Sequence, residues 1–120
     1  MRFSKTGDIY KVIRITGSQD NILGITFAPS FDIQSRNSNS IEVIEWEFEN
    51  LIEESVKSSK QEVLDQVLAG LSRINSSLGT DYRLSKIYFC PFDSPKSEVY
   101  SGLIVKLIRH YHTGNKFEEN

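Results

Sequence analysis

Across "SSKQEVLDQVLAGLSRINSSLG" (residues 58–79), Val63, Leu64, Val67, Leu68, Leu71, Ile74 and Leu78 recur at three- and four-residue intervals. This spacing lays one continuous apolar stripe along an α-helix, and the stripe requires a hydrophobic surface to rest on. Ser59 and Glu62 have the capping-box spacing, so each can satisfy a free backbone N–H at the helix start. Gly79 stands where a left-handed residue closes the helix. A second helix is expected near the C-terminus, with Ser94 as cap and Pro95 in its first turn. Its buried face would be Tyr100, Leu103, Ile104, Leu107, Ile108 and Tyr111, and Gly114 would end it.

Two one-sided helices need a sheet, and the remaining segments supply strands. "DIYKVIRIT" (8–16) is β-branched, and "NILGITFA" (21–28) alternates, with Leu23, Ile25 and Phe27 on one side; "GSQDN" between them predicts a hairpin. "SIEVIEWEF" (40–48) returns to strand character, and "SKIYFC" (85–90) is apolar on both faces, as a strand inside a sheet must be. The stretch "PSFDIQSRNSNS" (29–40) reads as a long mobile loop. The order β-β-β-α-β-α predicts a single α+β domain over residues 1–120. It has a four-stranded, mostly antiparallel sheet, two helices packed on one face and a frayed tail at 114–120. A crossover through the first helix would set "SKIYFC" parallel to "SIEVIEWEF".

Composition narrows the function classes. With 38% hydrophobic residues the chain can build a core unaided, and its single cysteine, Cys90, can form neither an intramolecular disulfide nor a cysteine metal cluster. "MRFSKTGD" lacks a signal-peptide apolar core, and no apolar run approaches the roughly 18 residues of a membrane span, so a cytoplasmic protein without membrane contact is expected. The net charge of −2 is unevenly spread: residues 41–80 carry three basic and eight acidic side chains, a local net of −5. Six of the acids, Glu42, Glu45, Glu47, Glu49, Glu53 and Glu54, occur with no basic residue among them. Such a segment argues against nucleic acid as the ligand and for a basic partner.

Cys90, His110 and His112 lie within 23 residues and raise the question of a nucleophile with its base. On a helix, residues i and i+2 point about 200° apart, so the two histidines cannot chelate one metal. His110 would lie four turns up its helix from Cys90, on the order of 20 Å away, against the roughly 3 Å that proton transfer needs. Cys90 therefore reads as a small apolar side chain closing a buried strand. In "CPFDSPKSE", Asp93 and Ser94 cap the helix; an anion site beside Lys96 is the weaker alternative, since no glycine-rich lead-in precedes it.

Along the acidic strand, Glu45, Glu47 and Glu49 would share one face and Ile44, Trp46 and Phe48 the other, the aromatics entering the core. Such an acidic ladder discourages strand-to-strand aggregation or docks a protein; a carboxylate pair for catalysis or metal binding is the weakest alternative, since no nearby His, Arg or repeated Asp/Glu motif supports it. Among the aromatics Tyr10, Phe31, Tyr82 and Tyr100, Phe31 stands out as an exposed anchor beside Asp32 in the polar loop; Tyr100 is expected in the core. The candidate partner-binding set is thus Glu42, Glu45, Glu47, Glu49, Glu53, Glu54, Phe31 and Asp32, with no catalytic, metal or cofactor residues expected.

In general build (one small α+β domain with an acidic patch and no catalytic constellation) the whole chain resembles bacterial immunity proteins, in particular those of contact-dependent growth-inhibition systems. The resemblance lies in that build, not in a motif. It implies a cytosolic protein that binds one cognate toxin domain, often a nuclease, and blocks its active site or substrate surface without turnover. The segment Glu42–Glu54 would suit the basic cleft of such a toxin. The competing expectation is a ligand-binding domain or small enzyme with a pocket near residues 29–40 and 90–96.

Overall fold

The computed structural model describes residues 1–16, 19–28, 41–45, 59–90 and 99–119. In chain order the elements are β1 (Arg2–Thr6), β2 (Ile9–Thr16), β3 (Gln19–Phe27), β4 (Glu42–Glu45), α1 (Lys60–Leu78), β5 (Leu84–Phe89), α2 (Val99–His112) and β6 (Glu118–Glu119). Among the described residues six strands form one mixed sheet in the order β4-β5-β3-β2-β1-β6. The α+β class and the two helices match the expectation, while the sheet has two more strands than the four predicted. The expected hairpin is β2–β3, antiparallel from Tyr10↔Ile25 to Thr16↔Gln19. β5 lies between β3 and β4, antiparallel to the first and parallel to the second, as its two apolar faces required.

Both additional strands lie at the far edge. β1 pairs with β2 across the two-residue turn Gly7–Asp8, with Thr6 opposite Ile9 and Gly7 at φ 61°. β6 pairs parallel to β1 through Ser4↔Glu118 and Lys5↔Glu119. The tail expected to fray is therefore held, because the Phe117 ring packs edge-on against Phe3, Tyr10 and His110. The exposed ion pair Arg2–Glu118 (2.9 Å) adds little to that anchorage.

Alternation places Val12, Leu23, Ile25, Ile87 and Phe89, each 0% exposed, on one face of the sheet. The register aligns them in two rows across the strands: Phe3–Val12–Leu23–Phe89–Glu45 and Lys5–Tyr10–Ile25–Ile87–Val43. The helix stripes close over these rows in one buried cluster, with Val63, Val67, Leu71 and Ile74 from α1 and Tyr100, Leu103, Ile104, Leu107 and Ile108 from α2. Between the pairs Thr26↔Lys86 and Phe27↔Leu84 the register slips by one residue of β5, so Leu84 and Ile87, three residues apart, both turn inward.

The ends of α1 are built as their residues require, while the cap of the second helix expected at Ser94 and Pro95 lies outside the described residues. The Ser59 hydroxyl accepts from the Glu62 N–H at 3.2 Å, and Gly79 adopts φ 68°. Beyond it Asn75 ties α1 to the connection leading to β5. Its Oδ1 accepts from Thr80 Oγ1 (2.8 Å) and the Tyr82 N–H (2.9 Å), and its Nδ2 donates to the Tyr82 carbonyl (3.0 Å). Each of the three bonds contributes about 1 kcal/mol net and alanine gains about 0.7 kcal/mol of helix propensity, so Asn75→Ala should cost about 2 kcal/mol, read as a lower urea midpoint with an unchanged slope. A cost below about 0.5 kcal/mol would mean that water replaces all three bonds.

Candidate functional site

Of the eight residues expected to meet a partner, Glu42 and Glu45 fall within the described part of the chain; Glu47, Glu49, Glu53, Glu54, Phe31 and Asp32 lie outside it. Both glutamates are exposed on β4, which ends the sheet order and pairs with β5. The expected division of faces is corrected at this strand. Ile41 and Val43 are the residues packed against the core, and Glu45 shares their side, so Ile44 lies on the opposite face with Glu42. The short parallel pairing to β5 causes this: Val43 sits opposite Ile87 and Ile44 opposite Tyr88, and Ile87 is the one that faces the helices. Glu42 and Glu45 thus project from opposite faces of one edge. Lys86 lies opposite Glu42 in register, which offsets part of its charge and leaves Glu45 as the more strongly acidic point.

Cys90 and the histidines are far apart in this sheet. Cys90 follows Phe89 and is buried; the His110 ring stacks on Phe3 at 3.8 Å between centroids and 7° between planes. Phe89 and Phe3 occupy one row three strands apart, a span of about 14 Å at the usual strand spacing. No proton passes directly across that distance. The histidines also face different neighbours. His110 Nε2 lies 2.8 Å from the Lys116 carbonyl, which can only accept, so this nitrogen carries the hydrogen. His112 Nδ1 is 2.7 Å from the Tyr82 hydroxyl. Among the described residues no group of three or more His, Cys, Asp or Glu side chains is arranged to hold a metal ion.

The C-terminal end of α2 gathers aromatic side chains whose clustering sequence spacing did not show. Tyr10, Phe27, Tyr82 and Tyr111 meet edge-on or tilted at centroid distances from 4.5 to 5.8 Å. Tyr111, expected in the buried face of α2, is 37% exposed and caps this cluster from outside. Tyr100 is fully buried, as expected, and Tyr10 and Tyr82 are half-buried. Partial burial, and then the neighbouring Tyr111 phenol, hold the Tyr82 hydroxyl protonated above the ordinary tyrosine range. The Lys5 ammonium lies 5.0 Å from the Tyr10 ring centroid, within cation–π range.

Two open clefts flank the turn between α2 and β6. One, of about 450 Å³, is lined by Lys5, Tyr10, Tyr111, Lys116, Phe117 and Glu119. The other, of about 400 Å³, is lined by Met1, Phe3, Lys106, Arg109, His110 and Thr113. The pocket expected near residues 29–40 and 90–96 lies outside the described residues apart from Cys90. Phe3 and Phe117 went unrecognised as site-forming residues; the one available signal was Gly7–Asp8 between short alternating segments, a hairpin turn that makes residues 2–6 a strand.

The chain matches no family model, no curated protein and no solved structure. Among the described residues no helix is long and apolar enough to cross a membrane.

Proposed function

We propose that this chain is a protein-binding inhibitor of the bacterial immunity type, acting in the cytosol by stoichiometric occlusion of a basic, nuclease-type toxin domain, with no turnover. The observation that carries this reading is the exposure of Glu42 and Glu45 on opposite faces of β4, the terminal strand of the sheet among the described residues. A partner that straddles this edge meets carboxylates on both sides, and Glu47, Glu49, Glu53 and Glu54 continue the charge along the chain. Exposed carboxylates at an interface rim steer a basic partner and select it over neutral ones. Phe31 and Asp32 belong to the same proposed surface.

The test compares wild type with Glu42→Lys/Glu45→Lys as baits. At low salt the wild type should retain one basic protein in a 1:1 complex that suppresses that protein's activity. The reversed variant should bind it at least about tenfold more weakly, with the loss mainly in the association rate. Near 0.5 M salt, where screening shortens the range of charge to about 4 Å, the two baits should converge. Equal binding by both at low salt would remove β4 from the docking surface. Both glutamates are exposed, so the reversal should leave stability within about 0.5 kcal/mol.

A further inference from the structure

Lys106, Arg109 and His110 on the last turns of α2, and Thr113 just beyond its end, are related by three- and four-residue spacings, so they share the wall that faces the 400 Å³ cleft. The facing wall comes from the start of the chain: Phe3, and Met1, which is 50% exposed. Neither Lys106 nor Arg109 has an ion-pair partner among the described residues. The nearby acids on β6 do not neutralise them: Glu118 is engaged by Arg2 at 2.9 Å, and Glu119 lines the other cleft. The cleft therefore combines two cations that no described residue compensates with a flat apolar wall, the stacked pair of Phe3 and His110. Donation from His110 Nε2 to the Lys116 carbonyl holds that ring in place and leaves Nδ1 free of any partner among the described residues. Thr113 is less available, since its hydroxyl already donates to the helix carbonyls of Arg109 and His110.

We propose that this cleft is a binding site for a small organic phosphate monoester bearing a flat ring. Lys106 and Arg109 would receive the phosphate, and Met1 and the Phe3–His110 stack would cover the ring. The two cations match the charge of a phosphate dianion, and the guanidinium fork suits phosphate oxygens. The volume lies at the small end of the range for small-molecule sites, enough for one ring and its phosphate. The site is separate from the acidic edge. Phe3 and Glu45 end the same row of the sheet, four strand spacings or about 19 Å apart, so failure here leaves the inhibitor reading untouched.

The probe is phenyl phosphate, titrated into the full-length ¹⁵N-labelled chain at low salt and followed by amide shifts. The amides of Phe3, Lys106, Arg109, His110 and Thr113 should move together with a dissociation constant of about 1 mM or tighter. Inorganic phosphate and benzyl alcohol should each bind at least about tenfold more weakly, because each supplies half of the recognition. Lys106→Gln/Arg109→Gln should lose at least about tenfold in affinity for phenyl phosphate; its otherwise unchanged spectrum would report an intact fold. Three results would overturn the proposal: no saturable shift up to about 20 mM, the same affinity in the double variant, or inorganic phosphate binding as tightly as phenyl phosphate, which would mean an adventitious ion only.

Discussion

Replacing Gly70 with alanine should cost this protein about 2 kcal/mol, and replacing it with valine should cost more than about 3 kcal/mol. Gly70 lies on the buried side of α1 where the helix meets α2, next to the link from Arg73 Nη2 to Ser101 Oγ. A methyl group at this position would lie 2.5 Å from Ile104 Cγ2 and closer still to the Ser101 carbonyl oxygen. The side chain can rotate aside, but the carbonyl belongs to the α2 backbone, so relief requires the helices to move apart and loosens the core beneath both. Against this, alanine gains about 1 kcal/mol of helix propensity over glycine. Overpacking against backbone should exceed that gain, lowering the melting temperature by about 8 °C for a domain of this size. Gly102 on α2 is the control, because a methyl group there meets nothing within 4 Å. Gly102→Ala should stabilise by about 0.5–1 kcal/mol through propensity alone. A stabilised Gly70→Ala would refute the close approach of the two helices.

Phe89→Ala should be the most damaging single truncation, at about 3–5 kcal/mol. Phe89 is fully buried in β5, between Leu23 of β3 and Glu45 of β4, under the helix pair. Its removal leaves a cavity that rigid strand neighbours cannot fill. Folded domains have a stability of about 5–15 kcal/mol in total, so this variant could fall below the folding threshold. Phe89→Leu, expected to cost about 1.5 kcal/mol, keeps the measurement within range. The effect should extend to the proposed docking edge, because β4 is joined to the sheet through β5. Amide exchange in Phe89→Leu should therefore accelerate most at Glu42–Glu45, and least in β2, which is paired on both sides. Uniform acceleration across the sheet would show that β4 has no local weakness of its own.

Residues with strong local chemistry were legible from order alone. Ser59, Glu62 and Gly79 mark the ends of α1 because capping depends on neighbours a few residues away. Leu103, Ile104, Leu107 and Ile108 identify their helix face because 3.6-residue periodicity is a local property. "SKIYFC" reads as an interior strand because both of its faces are apolar. Glu42 and Glu45 are readable as exposed, since a carboxylate without a partner stays in water.

What remained hidden depends on partners distant in the chain. Residues 2–6 carry a local hairpin signal at Gly7–Asp8, but their outer pairing is with β6, more than 110 positions later. The division of faces on β4 follows from which residue meets Ile87, and a one-residue change of register reverses it. The cleft between Met1–Phe3 and Lys106–Thr113 joins the two ends of the chain, with Phe117 closing the aromatic cluster beside it. Periodicity, capping and charge are properties of neighbouring residues, so the amino-acid order alone determined the helices, the β2–β3 hairpin, the interior strand and the acidic segment. Register, edge position and the meeting of N- and C-terminal side chains depend on long-range pairing, and only the folded sheet decided them.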